Sequence, residues 1–237
     1  MENTPIPYGK KGNMEPLNKI HWEALTSSTH SVLHLLGSLK WINRYYLAGG
    51  TGLALHLGHR YSVDLDFFSD EEDAVNFTER ADLRNLLRDP PPEIIYDMDT
   101  SFVATWQEVG ISFFRLNQYP LILPTIPINH IKLASLPEIG AMKLAAIIGR
   151  GTRKDYIDLY FILQNVALDL LFQIAAKKYA DIRSFPVSAL RALSYFADAE
   201  STPMPLMIDK TPWNKMKKFL ESTALQAARM ELEDLWG

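Results

Sequence analysis

The chain contains no cysteine. That absence removes disulfides, thiol nucleophiles and thiolate metal sites, and it suits a reducing compartment. No apolar run reaches the roughly 18 residues that a membrane helix needs. The opening stretch MENTPIPYGKKGNMEP has no apolar segment of the signal-peptide kind. Together these features lead to the expectation of a soluble, cytoplasmic protein with no membrane partner. An excess of basic residues is also missing. The 24 Lys and Arg against 28 Asp and Glu give a net charge of −4, so any RNA contact must come from a local patch. Glycine and proline are sparse, at 12 and 14 of 237 residues, and no repeat or low-complexity tract stands out. Disorder is therefore not indicated. Apolar residues are plentiful at 47%, enough to core one large or two small domains.

The stretch around which the chain is organised runs from Tyr46 to Ser69, YLAGGTGLALHLGHRYSVDLDFFS. It reads as a short strand, a Gly49-Gly50 turn, a helix over 51–57 and a second strand. On that second strand Asp64 and Asp66 flank Leu65, so the two carboxylates share a face. Val63, Leu65 and Phe67 are expected on the other face, in a core. Adjacent carboxylates repel unless a cation lies between them, and Mg²⁺ is the usual one. Gly49, Gly50 and Thr51 open a helix whose free N–H groups form an anion site, and glycine lets a phosphate approach closely. A phosphate cradle beside a metal-binding carboxylate pair is equipment for nucleotidyl or phosphoryl transfer. Arg60 could touch phosphate, brace Asp64 or form an ordinary salt bridge.

The order Gly-Gly-Thr, short helix, His59-Arg60-x-Ser62, then Asp64-Leu65-Asp66-Phe67-Phe68 resembles the AbiEii/AbiGii toxin family, nucleotidyltransferase-like proteins of the DNA polymerase β superfamily. The likeness continues at Lys143 and at Lys154-Asp155-x-x-Asp158, and covers roughly residues 40–165. It implies that Lys143 contacts nucleotide phosphates. It also implies that Asp155 points into the cleft, where it helps to hold Lys143 or the metal shell, and that Asp158 anchors the helical part. The implied activity is Mg²⁺-dependent transfer of a nucleotide from a nucleoside triphosphate to a tRNA or protein hydroxyl, by a toxin restrained by a cognate antitoxin protein. Two alternatives stay open: a non-catalytic nucleotide-binding relative, and a small-molecule enzyme of the aminoglycoside-modifying type. The chain departs from the pattern in three places. Threonine stands at 51 in place of serine. Thr152 stands where an arginine is expected, so Arg150 or Arg153 must serve. No third carboxylate is evident on the strand Gly110–Arg115, with only Glu108 near its start.

The rest of the chain reads as an α+β protein: a mixed-sheet, polymerase β-like nucleotidyltransferase domain over 1–135, with an N-terminal helix, followed by a helical bundle over 136–237. The active cleft is expected between them. Residues 1–16 read as a loose lead-in, 17–40 and 70–88 as helices, and 44–48, 93–96, 101–107, 111–116 and 131–134 as strands, with Val109-Gly110 in a hairpin turn. Ser135 to Glu138 has the form of a capping box. His30 and His34, four apart, are two metal-ligand types without a third. Lys210, Lys215, Lys217 and Lys218 surround Trp213, in either an RNA-contacting or an amphipathic surface helix.

Overall fold

The computed structural model describes residues 19–236, and side chains as far as Arg229. The expected lead-in over 1–16 lies outside the described residues. The chain divides into two compact units, one formed by residues 21–135 and the other containing the helices from Leu136 onward.

The first unit is built on a seven-stranded mixed sheet. In chain order it contains α1 (Ser27–Leu36), β1 (Tyr46–Leu47), α2 (Gly49–Leu57), β2 (Asp64–Ser69), α3 (Phe77–Leu86), β3 (Glu93–Met98), β4 (Ser101–Trp106), β5 (Val109–Arg115), β6 (Ile126–Ile128) and β7 (Ile131–Leu133). The strand order is β3-β4-β5-β2-β1-β7-β6. The β2–β5 and β1–β7 pairs are parallel and the other pairs antiparallel. One face of the sheet buries Leu65, Phe67, Phe102, Ala104, Ile111 and Phe113. Phe67 and Phe113 stack at 4.8 Å, and Tyr45 and Trp41 meet the Phe113 ring edge-on. Val63 is not part of this core. It precedes β2 and is 41% exposed, so the inward alternation begins only at Leu65.

The expected helix over 17–40 is shorter. A 3₁₀ turn at Trp22–Ala24 comes first, and Thr26 then caps α1 by accepting from the Thr29 N–H. The expected helix over 70–88 starts late, at Phe77. The acidic run before it does not cap a helix; it surrounds Arg44, which donates to Glu71 (2.7 Å), Glu79 (2.6 Å) and Asp73. Asn76 caps α3 instead, in a capping box with Glu79. The β4–β5 turn is also displaced. Gln107 and Glu108 form it, both with positive φ, and Trp106 pairs with Val109. Positive φ at both central residues matches the twist of a two-residue hairpin. The strand β6, with Pro127 at its centre, was not expected.

The second unit is helical: α4 (Leu136–Gly149), α5 (Arg153–Leu163), α6 (Leu168–Lys178), α7 (Phe185–Ala192), the short α8 (Ala197–Glu200) and α9 (Trp213–Trp236). Pro186 lies in the first turn of α7, where its missing N–H costs nothing. α4 packs on α5, α6 and α7. Gly140 permits the close approach, since a Cβ there would meet Leu171 at 2.5 Å. Glu138 and Lys178, both fully buried, pair at 2.8 Å. Among the described residues no single helix is long and apolar enough to cross a membrane.

Candidate active site

The glycine pair and the aspartate pair meet in the first unit. Leu47 ends β1, Ala48 N donates to the Asp66 carbonyl (3.0 Å), and the chain turns directly into α2. Gly49 has φ 61°, which favours glycine. A Cβ on Gly49 would collide with the Asp66 carboxylate, so that carboxylate lies against the first turn of α2. The first N–H groups of a helix have no intrahelical acceptor and carry its positive end. Asp64 is exposed and Asp66 half-buried, on the face opposite Leu65 and Phe67. Asp64 leans over the neighbouring strand, where a Cβ on Gly110 would stand 2.6 Å from its Oδ1. Glycines at 49 and 110 are thus what give the two carboxylates their room. The pair fits Mg²⁺, which commonly takes one or two protein carboxylates and completes its shell with phosphate oxygens and water.

Thr51 plays a different part from the one expected of its hydroxyl. Its side chain is fully buried, lies 2.9 Å from Ser62 Oγ, and donates to the Asp64 carbonyl. It ties α2 to the start of β2 and leaves only its backbone N–H to an anion site. Arg60 is buried, with its guanidinium where a Cβ on Gly50 would stand, and donates to the Tyr61 carbonyl at 3.1 Å. Ser62 is drawn in by a bridge to Leu25. The segment between α2 and β2 is therefore packed from below.

On β5 the residue level with Asp66 is Ser112, and the residue level with Asp64 is Gly110. Neither is acidic, and Glu108 belongs to the turn before the strand. Among the described residues no three His, Asp or Glu side chains are grouped to hold a metal ion. His30 and His34 line a shallow pocket together with His130 and Trp22; His30 meets the Trp22 ring edge-on at 5.1 Å.

The second unit holds the other predicted residues together. Lys143 is 4% exposed. Its Nζ lies 3.0 Å from Asp155 Oδ1 and 2.6 Å from Asp158 Oδ2, and both aspartates are fully buried. Lys143 is thus not a surface amine lying over apolar neighbours, and Asp158 is one of its two counter-ions. Arg150 donates to both oxygens of Asp155, at 2.8 and 2.9 Å, and Thr152 donates to Oδ2 at 2.6 Å. Of the two arginines near position 152, Arg150 is the one that pairs with Asp155. The turn that brings it round passes through Gly151, φ 52°. Arg153 is engaged elsewhere, with Ala199 and Glu200. Burial alone would raise the Asp155 carboxyl. The Arg150 hydrogen bond, the Lys143 charge and the Thr152 hydrogen bond outweigh it and hold the group well below the usual carboxylate range. Arg150, at 57% exposure, is the solvent-facing member of this group.

Trp213, by contrast, is occupied. Arg153 and Lys217 lie over its ring at 5.7 and 5.6 Å, and its indole N–H donates to Glu200. Met216 and Leu220 are buried, so the start of α9 is an amphipathic surface helix.

Residues 34–231 match the family model of the nucleotidyl transferase AbiEii toxin, type IV toxin–antitoxin system. The chain belongs to this family. It is a toxin-type nucleotidyltransferase, and membership implies a nucleotide substrate and a cognate antitoxin. An uncharacterized protein of Aquifex aeolicus is 31% identical over 205 residues, covering 83% of this chain and 94% of that protein. Among solved structures, the nucleotidyltransferase toxin MenT4 of Mycobacterium tuberculosis superposes with a TM-score of 0.58 at 17% identity, over 84% of this chain and 82% of its own. The antibiotic-resistance factor ANT(2'')-Ia superposes with a TM-score of 0.50 at 10% identity, over 67% of this chain and 92% of its own. At these identities the structural likeness speaks to the fold.

Proposed function

We propose that this AbiEii-family enzyme transfers a nucleotidyl group from a Mg²⁺-bound nucleoside triphosphate to a hydroxyl of an RNA, such as a tRNA, or of a protein. The observation that carries the reading is the Asp64–Asp66 pair, set on one strand face against the glycine-opened N-terminus of α2. The backbone N–H groups of Gly49, Gly50 and Thr51 receive the triphosphate oxygens, and the helix dipole favours their charge. Asp64 and Asp66 hold the cation. Bound there, Mg²⁺ would supply charge neutralisation on the phosphates and align them for in-line attack.

The acceptor hydroxyl attacks the α-phosphorus and gives up its proton to solvent, the bond to the bridging oxygen breaks, and pyrophosphate leaves with its electron pair. Arg60 braces the α2–β2 segment from beneath. In the second unit, Lys143 and Asp155 act as a locked pair: the Arg150 hydrogen bonds and the Lys143 ammonium keep the carboxylate ionised, and Arg150 faces solvent.

The test is incubation of the full chain with each labelled ribonucleoside triphosphate, Mg²⁺ and total cellular RNA and protein. Label is expected on RNA or on protein, lost with EDTA and in Asp64→Asn, and the macromolecule that carries it identifies the acceptor. No label on any macromolecule would overturn the reading. Expression in a bacterial host is expected to slow growth, with Asp66→Ala relieving it.

A further inference from the structure

The sheet face that carries the aspartates stays open toward β3. From β2 outward the register sets Asp66, Ser112, Val103 and Tyr96 in one row across four strands. Ser112 and Val103 are half-buried and Tyr96 is 52% exposed, whereas the residues that alternate with them, such as Phe113 and Phe102, are buried in the core. Neighbouring strands lie about 4.8 Å apart, so Tyr96 stands roughly 14 Å from Asp66 across the sheet. Ser112 and Val103 are short, and no bulky side chain of this row separates the ring from the carboxylate.

A β-bulge puts Tyr96 in this row. Ile94 pairs with Ala104 and Tyr96 with Val103, which leaves Ile95 as the extra residue. Without it Tyr96 would lie opposite Phe102, on the core face. Met98 is carried over with Tyr96, beside Ser101. Asp97, between them, is turned the other way and pairs with Arg80 and Arg84 of α3. Bulges next to active sites commonly re-aim a side chain in this manner.

We propose that Tyr96 is a stacking platform for an unpaired base of the acceptor RNA, and that the open sheet face leads the acceptor to the aspartates. This rests on the nucleotidyl-transfer reading above and selects RNA among its acceptors. Unpaired bases stack on aromatic rings exposed by an open sheet face, and do so with little regard to sequence. An extended peptide engages the backbone of a sheet edge instead. The row holds no lysine or arginine, so the contact at Tyr96 is made by the base and not by phosphate.

The test uses the full chain with Mg²⁺ and two fluorescein-labelled single-stranded oligoribonucleotides, oligo(A) and oligo(U), followed by anisotropy. Transfer from labelled triphosphates to total cellular RNA and protein is measured beside it. Tyr96→Ala should weaken binding of both oligonucleotides about five- to a hundredfold, the worth of one stacked base. Tyr96→Leu, apolar but without a ring, should lose as much, and Tyr96→Phe should bind like wild type. The loss should be equal at low and high salt, because stacking releases no counter-ions. Transfer to subsaturating RNA should fall by the same factor, with triphosphate affinity and melting temperature unchanged.

Undiminished RNA binding and labelling in Tyr96→Ala and Tyr96→Leu would overturn the inference and leave the transfer reading standing. So would an equal loss in Tyr96→Phe, a loss that vanishes at high salt, wild type that binds neither oligonucleotide, or label on protein with none on RNA. Failure of wild type to label any macromolecule would overturn both.

Discussion

At the scale of single residues, Lys143 is the most exacting position in the second unit. Its ammonium is the shared counter-ion of two fully buried aspartates. Lys143→Met keeps the stem and removes the charge, taking a counter-ion from two fully buried aspartates. Breaking a buried pair in this way costs about 3–5 kcal/mol, so urea unfolding should shift far below wild type. An unchanged midpoint would mean that the pair does not form. Arg150→Gln is expected to be milder, because its guanidinium is more than half exposed; exposed pairs contribute roughly 0–1 kcal/mol. The sequence exposed much of this group. Asp155 and Asp158, three apart on a helix, were bound to share a face, and Lys143 stood out in an apolar run. What it left open was the choice between Arg150 and Arg153. That choice depends on Gly151 turning the chain through positive φ, a backbone event with no pattern of its own.

At the scale of elements, the carboxylate pair and the glycine-opened helix could be read because strand alternation and helix starts have local signatures. Two misreadings share a cause: tertiary partners displaced local preference. The acids of 70–73 look like a helix start, but Arg44, distant in sequence, claims Glu71 and Asp73. Val109-Gly110 looks like a turn, but Gly110 is needed in the strand to clear Asp64. The strand β6 is three residues long around a proline and lacks any periodic signal. Two measurements follow. Asn76→Ala removes the cap of α3 and should cost about 1 kcal/mol in chemical denaturation. An unaffected midpoint would show that Glu79 holds the helix start without it. Gly110→Ala puts a methyl where the exposed Asp64 carboxylate now lies, so that carboxylate must swing aside, at little cost in stability. It should weaken Mg²⁺-dependent nucleotide binding in calorimetry, whereas a purely structural glycine would leave that binding intact.

At the scale of the whole molecule, the two units carry different acid-sensitive groups. In the first, burial lowers the pKa of His56, partly opposed by its 2.8 Å hydrogen bond to the Ala134 carbonyl. A lowered histidine makes its full contribution above the unfolded value of about 6.5 and loses it as pH falls below that. In the second unit, Asp155 is depressed, so its contribution persists above about pH 4 and is lost only as pH falls further, toward its folded value. Stepwise acidification should therefore weaken the first unit before the second. Fluorescence of single-tryptophan variants retaining Trp41 or Trp213 would follow each unit, and His56→Gln should flatten the earlier loss. Simultaneous transitions unaltered by His56→Gln would refute this order. The sheet that carries the aspartates also has two unlike margins. At one end β6 is interrupted by Pro127, which cannot donate to a neighbouring strand. At the other, β3 presents Ile94, Ile95, Tyr96 and Met98 to solvent beside an outer edge that pairs with no strand among the described residues. Such a margin recruits strands from other molecules, so concentrated solutions of the enzyme should scatter light and seed fibrillar material, starting at Glu93–Met98. A lysine in place of Ile95 should raise the concentration at which turbidity sets in, with transferase activity retained.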